Sequence, residues 1–108
     1  MNRPDQSGST PSIGLGGLDP LIHPLQRIKI CAFLDPVEEE EFGELRDLLA
    51  TSDSALSKQL SVLTDAGYVE QRRTSRGGRS RVQVRLTQVG RRAFREHLDA
   101  LAELAQRT

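Results

Sequence analysis

Arginine side chains, whose guanidinium groups bind phosphates and carboxylates in a bidentate manner, are concentrated in one segment of the sequence. In this chain of 108 residues, the segment from Arg72 to Arg95 has nine arginines and no acidic residue. The segment from Asp35 to Asp47 has seven acidic residues and a single base, Arg46, and we expect a solvated loop or a short edge strand there. The formal net charge is zero, but the local field governs the binding of a polyanion. The arginines therefore predict a basic surface for a polyanion, the alternative being a solvated surface without a partner.

The side chains that commonly carry catalysis or bind metals are few in this sequence. There is one cysteine, Cys31, and there are two histidines, His23 and His97, whose spacing is not that of metal ligands. We predict no metal and no cofactor, and expect Cys31 to be a core residue, His23 a helix cap and His97 an exposed or interface residue. The sequence has neither a glycine-rich phosphate loop before a helix nor a nucleophile elbow, so we predict that the protein is not an enzyme.

Apolar residues recur at helical spacing in several segments and alternate in two others, which predicts a mainly α fold with a small β-hairpin (α+β). Residues 1–17 are rich in Pro, Gly and Ser and predict a disordered N-terminal tail. Residues 18–108 are expected to form one domain, beginning with a short helix at 18–22 that Asp19 caps. The predicted longer helices are 24–33, 42–50, 54–65 and 88–106, the last capped by Thr87, and the predicted strands are 68–73 and 81–86.

A tight turn separates the second and third of these longer helices. Residues 51–53 are all good N-cap residues, and a turn this short fits a helix-turn-helix, whose second helix enters the major groove of DNA. With Leu56, Leu60 and Leu63 toward the core, the opposite face of the third helix has small or cationic side chains that can approach base edges closely. The residues expected to bind DNA on this face are Ser54, Ser57, Lys58 and Ser61. Asp53 departs from the pattern, and we interpret it as the helix cap, the alternative being an acceptor for a cytosine amino group.

A hairpin between the two predicted strands is the second cationic element. Residues 74–80 lie between these strands, and Gly77 and Gly78 suit a hairpin turn that needs positive φ. A thin cationic tip fits the minor groove of DNA or the phosphates beside it. The predicted DNA contacts of this wing are Arg76 and Arg79 at the tip and Arg72, Arg73 and Arg81 on the stem.

Several short motifs together resemble those of a known family. They are Leu18–Pro24, Leu56–Leu60 with Leu63, Ala66–Val69, Val84–Thr87 and Gly90–Arg91. These segments resemble small bacterial-type winged helix-turn-helix regulators related to the MarR and ArsR groups. The resemblance implies a homodimer, with a recognition helix that includes residues 56–65 and a wing that includes 76–79. The sequence differs from metal-sensing ArsR members in lacking a paired-cysteine motif, and from larger MarR proteins in lacking the helices that frame a ligand pocket.

The last predicted helix has an apolar stripe that continues to its end. Its members follow the 4-3-4 spacing of a seam between two helices. The predicted dimer-interface residues are Phe94, Leu98, Leu101 and Ala105. The short N-terminal helix is expected to join this interface. The alternative is that the last helix packs only on its own domain.

These features predict a regulator of transcription that binds double-stranded DNA in a sequence-specific manner, acts as a homodimer and represses its targets. The alternative is a winged-helix module that binds an acidic protein partner. The sequence has no apolar run of membrane-spanning length, no secretory signal pattern and only one cysteine, so we expect a cytoplasmic protein that does not bind membranes. It identifies no effector molecule.

Overall fold

A computed structural model describes residues 16–107, with four helices and one three-stranded antiparallel sheet. Most of the predicted N-terminal tail therefore lies outside the described residues. The helices are α1 (Leu25–Leu34), α2 (Phe42–Leu49), α3 (Asp53–Asp65) and α4 (Gln88–Gln106), and the strands are β1 (Glu40–Glu41), β2 (Val69–Arg76) and β3 (Arg79–Leu86). The predicted mainly α fold with a β-hairpin is confirmed.

The sheet has the strand order β1-β3-β2, with every neighbouring pair antiparallel. Glu40 of β1 lies opposite Val84, so part of the acidic segment is the short edge strand that was one of its two expected forms. The β2–β3 ladder continues out to Arg76 opposite Arg79, so both strands extend further than the predicted 68–73 and 81–86, and a two-residue turn joins them. Its residues, Gly77 and Gly78, have φ of 57° and 76°, which non-glycine residues rarely adopt.

A single apolar core joins all four helices to strands β2 and β3. Its buried members are Ile22, Ile30, Cys31, Leu34, Leu45, Leu49, Leu56, Leu60, Leu63, Val69, Val84, Leu86 and Phe94. Cys31 is a core residue as predicted, and burial raises the pKa of its thiol to about 12. Leu25 and Leu48 are exposed, whereas Ile30 is buried. A short helix turns only a narrow apolar stripe toward the core. The elements packed against the helix decide which of its residues lie in that stripe.

The segment before α1 is a single turn rather than the predicted short helix, and it is tied to α4 and to Tyr68, the residue before β2. The Asp19 side chain accepts a hydrogen bond from the Leu21 N–H at 2.9 Å and another from the Tyr68 hydroxyl at 2.6 Å. The Asp19 backbone N–H donates to Nδ1 of His97 at 2.9 Å. Because Nδ1 is an acceptor, the ring hydrogen of neutral His97 is on Nε2, from which it is donated to Nδ1 of His23 across 3.2 Å.

The predictions for the two histidines are wrong. Pro24 stands at the N-cap of α1 and no side chain caps that helix, so His23 is not a cap. His97 is only 1% exposed, although it was expected at the surface or at an interface. Burial, and after it the nearby charge of His23, lower the pKa of His97 below its ordinary value, so the neutral ring is favoured in the folded protein.

A glycine sets the distance between α4 and the start of the hairpin. Thr87 caps α4 as predicted, its hydroxyl accepting from the Gly90 N–H at 2.9 Å and donating to the Gly67 carbonyl at 2.7 Å. The Thr87 N–H also donates to the Tyr68 carbonyl at 2.9 Å, which brings the two backbones together. A Cβ on Gly90 would overlap the Tyr68 carbonyl, so this position requires glycine.

Candidate nucleic-acid interface

Helix α3 presents a polar face to solvent because its apolar residues repeat on one side only. Leu56, Leu60 and Leu63 are buried against the core. The residues that were predicted to contact DNA, Ser54, Ser57, Lys58 and Ser61, are all exposed. The structure thus brings three hydroxyls and an ammonium group together on the outer side of one helix, where they can donate to phosphates or base edges.

The start of α3 is capped by Ser52 and not by Asp53 as predicted. The Ser52 side chain accepts a hydrogen bond from the Ala55 N–H at 3.1 Å. Asp53 is the first residue of the helix, and its carboxylate accepts from the Arg46 guanidinium at 2.8 Å. Arg46 also donates to Asp47 at 3.0 Å. The cation of Arg46 therefore offsets a carboxylate that would otherwise repel a phosphate near the N-terminus of α3.

Two polar contacts hold α3 from opposite sides. On one side the Arg27 guanidinium donates to the Gln59 side-chain carbonyl at 2.9 Å and to the Leu21 backbone carbonyl at 2.6 Å. On the other side the Gln71 amide donates to the Thr64 hydroxyl at 3.2 Å. These positioning residues were not predicted from the sequence, because no local pattern pairs a residue of α1 with one 32 positions further on.

The predicted wing arginines differ in what holds them. Arg79 is exposed beside the turn, and Arg73 donates to the Ser80 hydroxyl at 2.9 Å. Arg72 donates to both carboxylate oxygens of Glu39, at 2.9 and 3.0 Å. Arg81 forms an ion pair with Glu41. The backbone of Arg76 lies opposite Arg79, and its side chain lies outside the described part of the structure.

The arginine-rich segment is not the unopposed basic surface that the sequence predicted. Among the eight arginines of this segment whose side chains the structure describes, five form ion pairs with carboxylates, namely Arg72, Arg81, Arg85, Arg91 and Arg95. Most of these carboxylates come from the acidic segment, which folds back onto the hairpin and α4. Arg73, Arg79 and Lys58 have exposed side chains and no carboxylate partner in the described part of the chain. Of the residues predicted to contact DNA whose side chains are described, these three therefore bear the positive charge that no carboxylate offsets, and Arg92 of α4 is a further exposed arginine outside both elements.

The predicted dimer-interface residues on α4 divide into two groups. Phe94 is only 3% exposed, because it packs into the core of its own chain and is not available to a partner. Leu98 is 42% exposed, Leu101 is half-buried and Ala105 is exposed. Leu104, one turn beyond Leu101, is exposed as well. An apolar surface therefore continues along α4 beyond the part that the core covers.

The described residues form neither a metal site nor a membrane-spanning helix. Between residues 16 and 107, no group of three or more His, Cys, Asp or Glu side chains is arranged to hold a metal ion. None of the four helices in this range is long and apolar enough to cross a membrane.

The elements around this surface define a class of protein. A helix-turn-helix of α2 and α3, followed by a β-hairpin and a C-terminal helix, is the arrangement of a winged helix. Residues 26–105 match the family described as winged helix DNA-binding domain, and the chain belongs to this family. An uncharacterized protein of Methanocaldococcus jannaschii is 31% identical over 80 residues, which are 74% of this chain and 87% of that protein.

Solved structures with the same fold include several regulators. A transcriptional regulator homologue from Pyrococcus horikoshii OT3 has a TM-score of 0.79 at 20% identity and covers 88% of this chain and 94% of its own. A possible transcriptional regulator for arsenical resistance has a TM-score of 0.60 at 28% identity, and the match covers 86% of this chain and 96% of that one. A zinc-responsive MarR family member from Lactococcus lactis has a TM-score of 0.56 at 19% identity, and the match covers 95% of this chain and 67% of that one. The predicted resemblance to winged-helix regulators of the MarR and ArsR groups is confirmed.

Proposed function

We propose that this protein is a transcriptional regulator that binds double-stranded DNA in a sequence-specific manner, acts as a homodimer and represses the promoters it occupies. The observation that carries the proposal is the exposed outer face of α3, where Ser54, Ser57, Lys58 and Ser61 stand clear of the core. Membership of a DNA-binding family supports the nucleic acid as ligand. The regulators among the similar structures support a role in transcription, and repression is the simplest result of covering a promoter.

In this proposal α3 reads bases in the major groove. Its outer side chains are short apart from Lys58, so the helix backbone can approach the base edges. Serine hydroxyls donate to or accept from bases and phosphates, and Lys58 reaches a phosphate or a guanine. The contacts from Arg27 and Gln71 hold the helix on both sides, which keeps this face in a fixed orientation.

The wing supplies sequence-independent contacts. The turn at Gly77 and Gly78 is thin, and Arg79 stands beside it without a carboxylate partner in residues 16–107. An arginine at such a tip fits the minor groove or the phosphates on its edge. Phosphate contacts of this kind supply affinity that falls as salt rises.

The homodimer is proposed from the surface of α4. Leu98, Leu101 and Leu104 lie beyond the reach of the core and remain at least partly exposed. An apolar strip along a helix of 19 residues is covered when a second copy packs against it. A two-fold dimer would place its two α3 helices in successive major grooves, about 34 Å apart.

Fluorescence anisotropy on random-sequence duplex DNA, at a low and a higher salt concentration, tests the function. We expect binding that weakens with salt, and selection from a random pool is expected to enrich a two-fold motif. Absence of binding even at low salt would contradict the proposal, and an acidic protein partner for the arginine hairpin would then be the next candidate.

Substitutions test the division of labour between α3 and the wing. Replacing both Arg76 and Arg79 by alanine is expected to weaken binding to every sequence and to reduce the salt slope by about 1 to 2, because each lost phosphate contact removes about 0.9. Ser57→Ala or Lys58→Ala is expected to change the preference among sequences instead. Arg92→Ala is the matched control, an exposed arginine of α4 outside both elements. Equal losses from both sets on all DNA would contradict the assignment.

A further inference from the structure

We propose that Glu39 and Glu41 mask two phosphate-binding arginines of the wing stem and so lower the affinity of the protein for DNA of any sequence. The proposal rests on the proposed DNA-binding function and adds a feature of the fold that limits the affinity for DNA. Its basis is that the acidic segment and the arginine segment, separate in the sequence, meet at the hairpin: Glu39 with Arg72 and Glu41 with Arg81.

The masked arginines lie on one face of the hairpin. Arg81 is opposite Thr74 in the β2–β3 ladder, and directly opposed residues of antiparallel strands point to the same side. Thr74 and Arg72 are two positions apart in β2, so they share that side as well. The carboxylates reach it from β1, where Glu41 pairs with Gln83 of β3, and from Glu39, the residue before β1. The fold therefore delivers two anions to the face that bears the two cations.

The ion pairs are exposed enough to be exchanged. The side chain of Arg72 is 62% exposed and that of Glu39 is 36% exposed. The side chains of Arg81 and Glu41 are less exposed, at 38% and 22% of their surface. Ion pairs this accessible to water contribute little to folding stability, since screening and side-chain entropy offset most of their attraction. A DNA phosphate can therefore replace either carboxylate on its arginine without unfolding the hairpin.

A phosphate that displaces a carboxylate from its arginine gains less binding free energy than a phosphate that meets a free arginine. A free arginine that meets a phosphate releases a counterion from DNA and contributes about 0.9 to the salt slope. When the arginine first gives up a carboxylate, that carboxylate is left unpaired close to the DNA backbone and repels it. Masking thus lowers affinity for any DNA and makes it depend less on salt, while the base contacts of α3 are unchanged.

The experiment compares the full-length protein with the Glu39→Gln/Glu41→Gln variant by fluorescence anisotropy on random-sequence duplex DNA over a series of salt concentrations. Glutamine keeps the size of each side chain and removes its charge. We expect the double variant to bind about tenfold more tightly at low salt and its salt slope to steepen by about 1 to 2. Adding Arg72→Ala and Arg81→Ala to the double variant is expected to return the slope to that of the unmodified protein.

A control of equal charge change separates masking from a general effect of net charge. Glu38→Gln/Glu103→Gln also removes two negative charges, one beside Glu39 in the acidic segment and one from α4, and in residues 16–107 neither carboxylate forms an ion pair with an arginine of the hairpin. We expect less than about a twofold gain in affinity, since long-range charge effects are screened beyond about 10 Å at 0.1 M salt.

Three outcomes would overturn the proposal. Unchanged affinity and slope in the Glu39/Glu41 variant, with the unmodified protein binding, would show that Arg72 and Arg81 do not meet phosphates. A loss of affinity would show that the carboxylates position the guanidinium groups for DNA rather than mask them. If neither protein binds duplex DNA at the lowest salt, the proposed function fails together with this inference. Matching unfolding midpoints of the variants show that differences in binding do not come from misfolding.

Discussion

Single side chains of this protein are held by partners far away in the sequence. Arg91 of α4 donates to the carbonyls of Asp35 and Val37 at 3.2 and 3.3 Å, just beyond the end of α1. Its guanidinium also pairs with the Asp35 carboxylate at 3.1 Å. Carbonyls at a helix end lack intrahelical donors, so Arg91 supplies hydrogen-bond donors to the backbone carbonyls where α1 ends. An arginine that looks like part of a basic surface in the sequence has a structural role.

His97 makes stability dependent on pH. Its Nδ1 accepts from the Asp19 N–H, and a second proton on the ring would place a hydrogen where that bond now forms. Burial lowers the pKa of His97 in the folded protein below its ordinary 6.5, while the unfolded chain keeps the ordinary value. The unfolded state therefore binds more protons in the interval between the two values, and stability rises with pH there. The contribution of His97 is present above about pH 6.5 and is lost as the pH falls toward the lower folded-state pKa.

We therefore expect the free energy of unfolding, measured with urea at a series of pH values, to fall as the pH drops below about 6.5. His97→Asn retains a side-chain acceptor near Nδ1 and does not titrate, so its pH dependence in this interval is expected to be flatter. His23→Gln keeps His97 and its burial, which is the larger cause of the lowered pKa, so most of the pH dependence is expected to remain in this variant. An equal slope for the Asn variant and the unmodified protein would contradict the role of His97.

The elements of the fold are brought together by backbone contacts as well as by apolar packing. The N-terminal residues of α4 lie against the backbone at Tyr68, where the hairpin leaves α3. The N-terminal turn is tied to α4 through His97 and to α1 through Arg27, whose guanidinium continues to Gln59 of α3. The helix proposed for dimer formation and the helix proposed for DNA reading are thus connected by short polar contacts.

Two glycine-to-alanine substitutions are expected to change the free energy of unfolding in opposite directions. Gly90→Ala forces α4 away from the Tyr68 backbone, and overpacking of this kind destabilises by about 1–3 kcal/mol. Gly43→Ala in α2 meets only the end of the Arg46 side chain, at 3.6 Å. Its expected effect is a stabilisation of up to about 1 kcal/mol, since alanine favours helix formation over glycine. Thermal unfolding of both variants measures the difference, and a neutral Gly90→Ala would contradict the close approach.

In the whole molecule, the surface proposed to bind DNA and the surface proposed to form the dimer lie on different elements. The cations proposed to bind DNA lie on α3 and the wing, whereas the partly exposed leucines proposed for the dimer lie along α4. A protein built this way can use one region for a polyanion and another for a second copy of itself. The formal net charge of zero keeps long-range attraction to DNA weak, so binding depends on the local surface.

The proposed dimer gives the last prediction. Leu98→Glu or Leu101→Glu is expected to produce monomers in sedimentation, because a charge would be buried in the apolar seam. Such monomers are expected to lose affinity for a two-fold DNA site and to keep weak binding to a single half-site. Val89→Glu is the matched control, since Val89 is exposed and lies about two and a half turns from Leu98, on the opposite side of α4. A dimer that survives both leucine changes would contradict the seam.

The sequence by itself determined the order and type of the longer elements. Periodicity is a local property, so the spacing of Leu56, Leu60 and Leu63 was enough to orient α3, and the glycines at 77 and 78 were enough to place the turn. Thr87 was identified as a cap because capping involves only the next few residues. The winged-helix fold and the face of α3 proposed to bind DNA both followed from such local signals.

Only the tertiary structure decided which groups meet. The carboxylates of the acidic segment pair with arginines 33 and 40 positions away, and His97 is buried by a turn 78 positions before it. Phe94 belongs to the core and Leu98 to the surface, although both fit the same apolar stripe. Hydropathy and charge specify what a side chain can do, whereas long-range packing fixes its neighbours, and the neighbours determine its charge state and its availability to a partner.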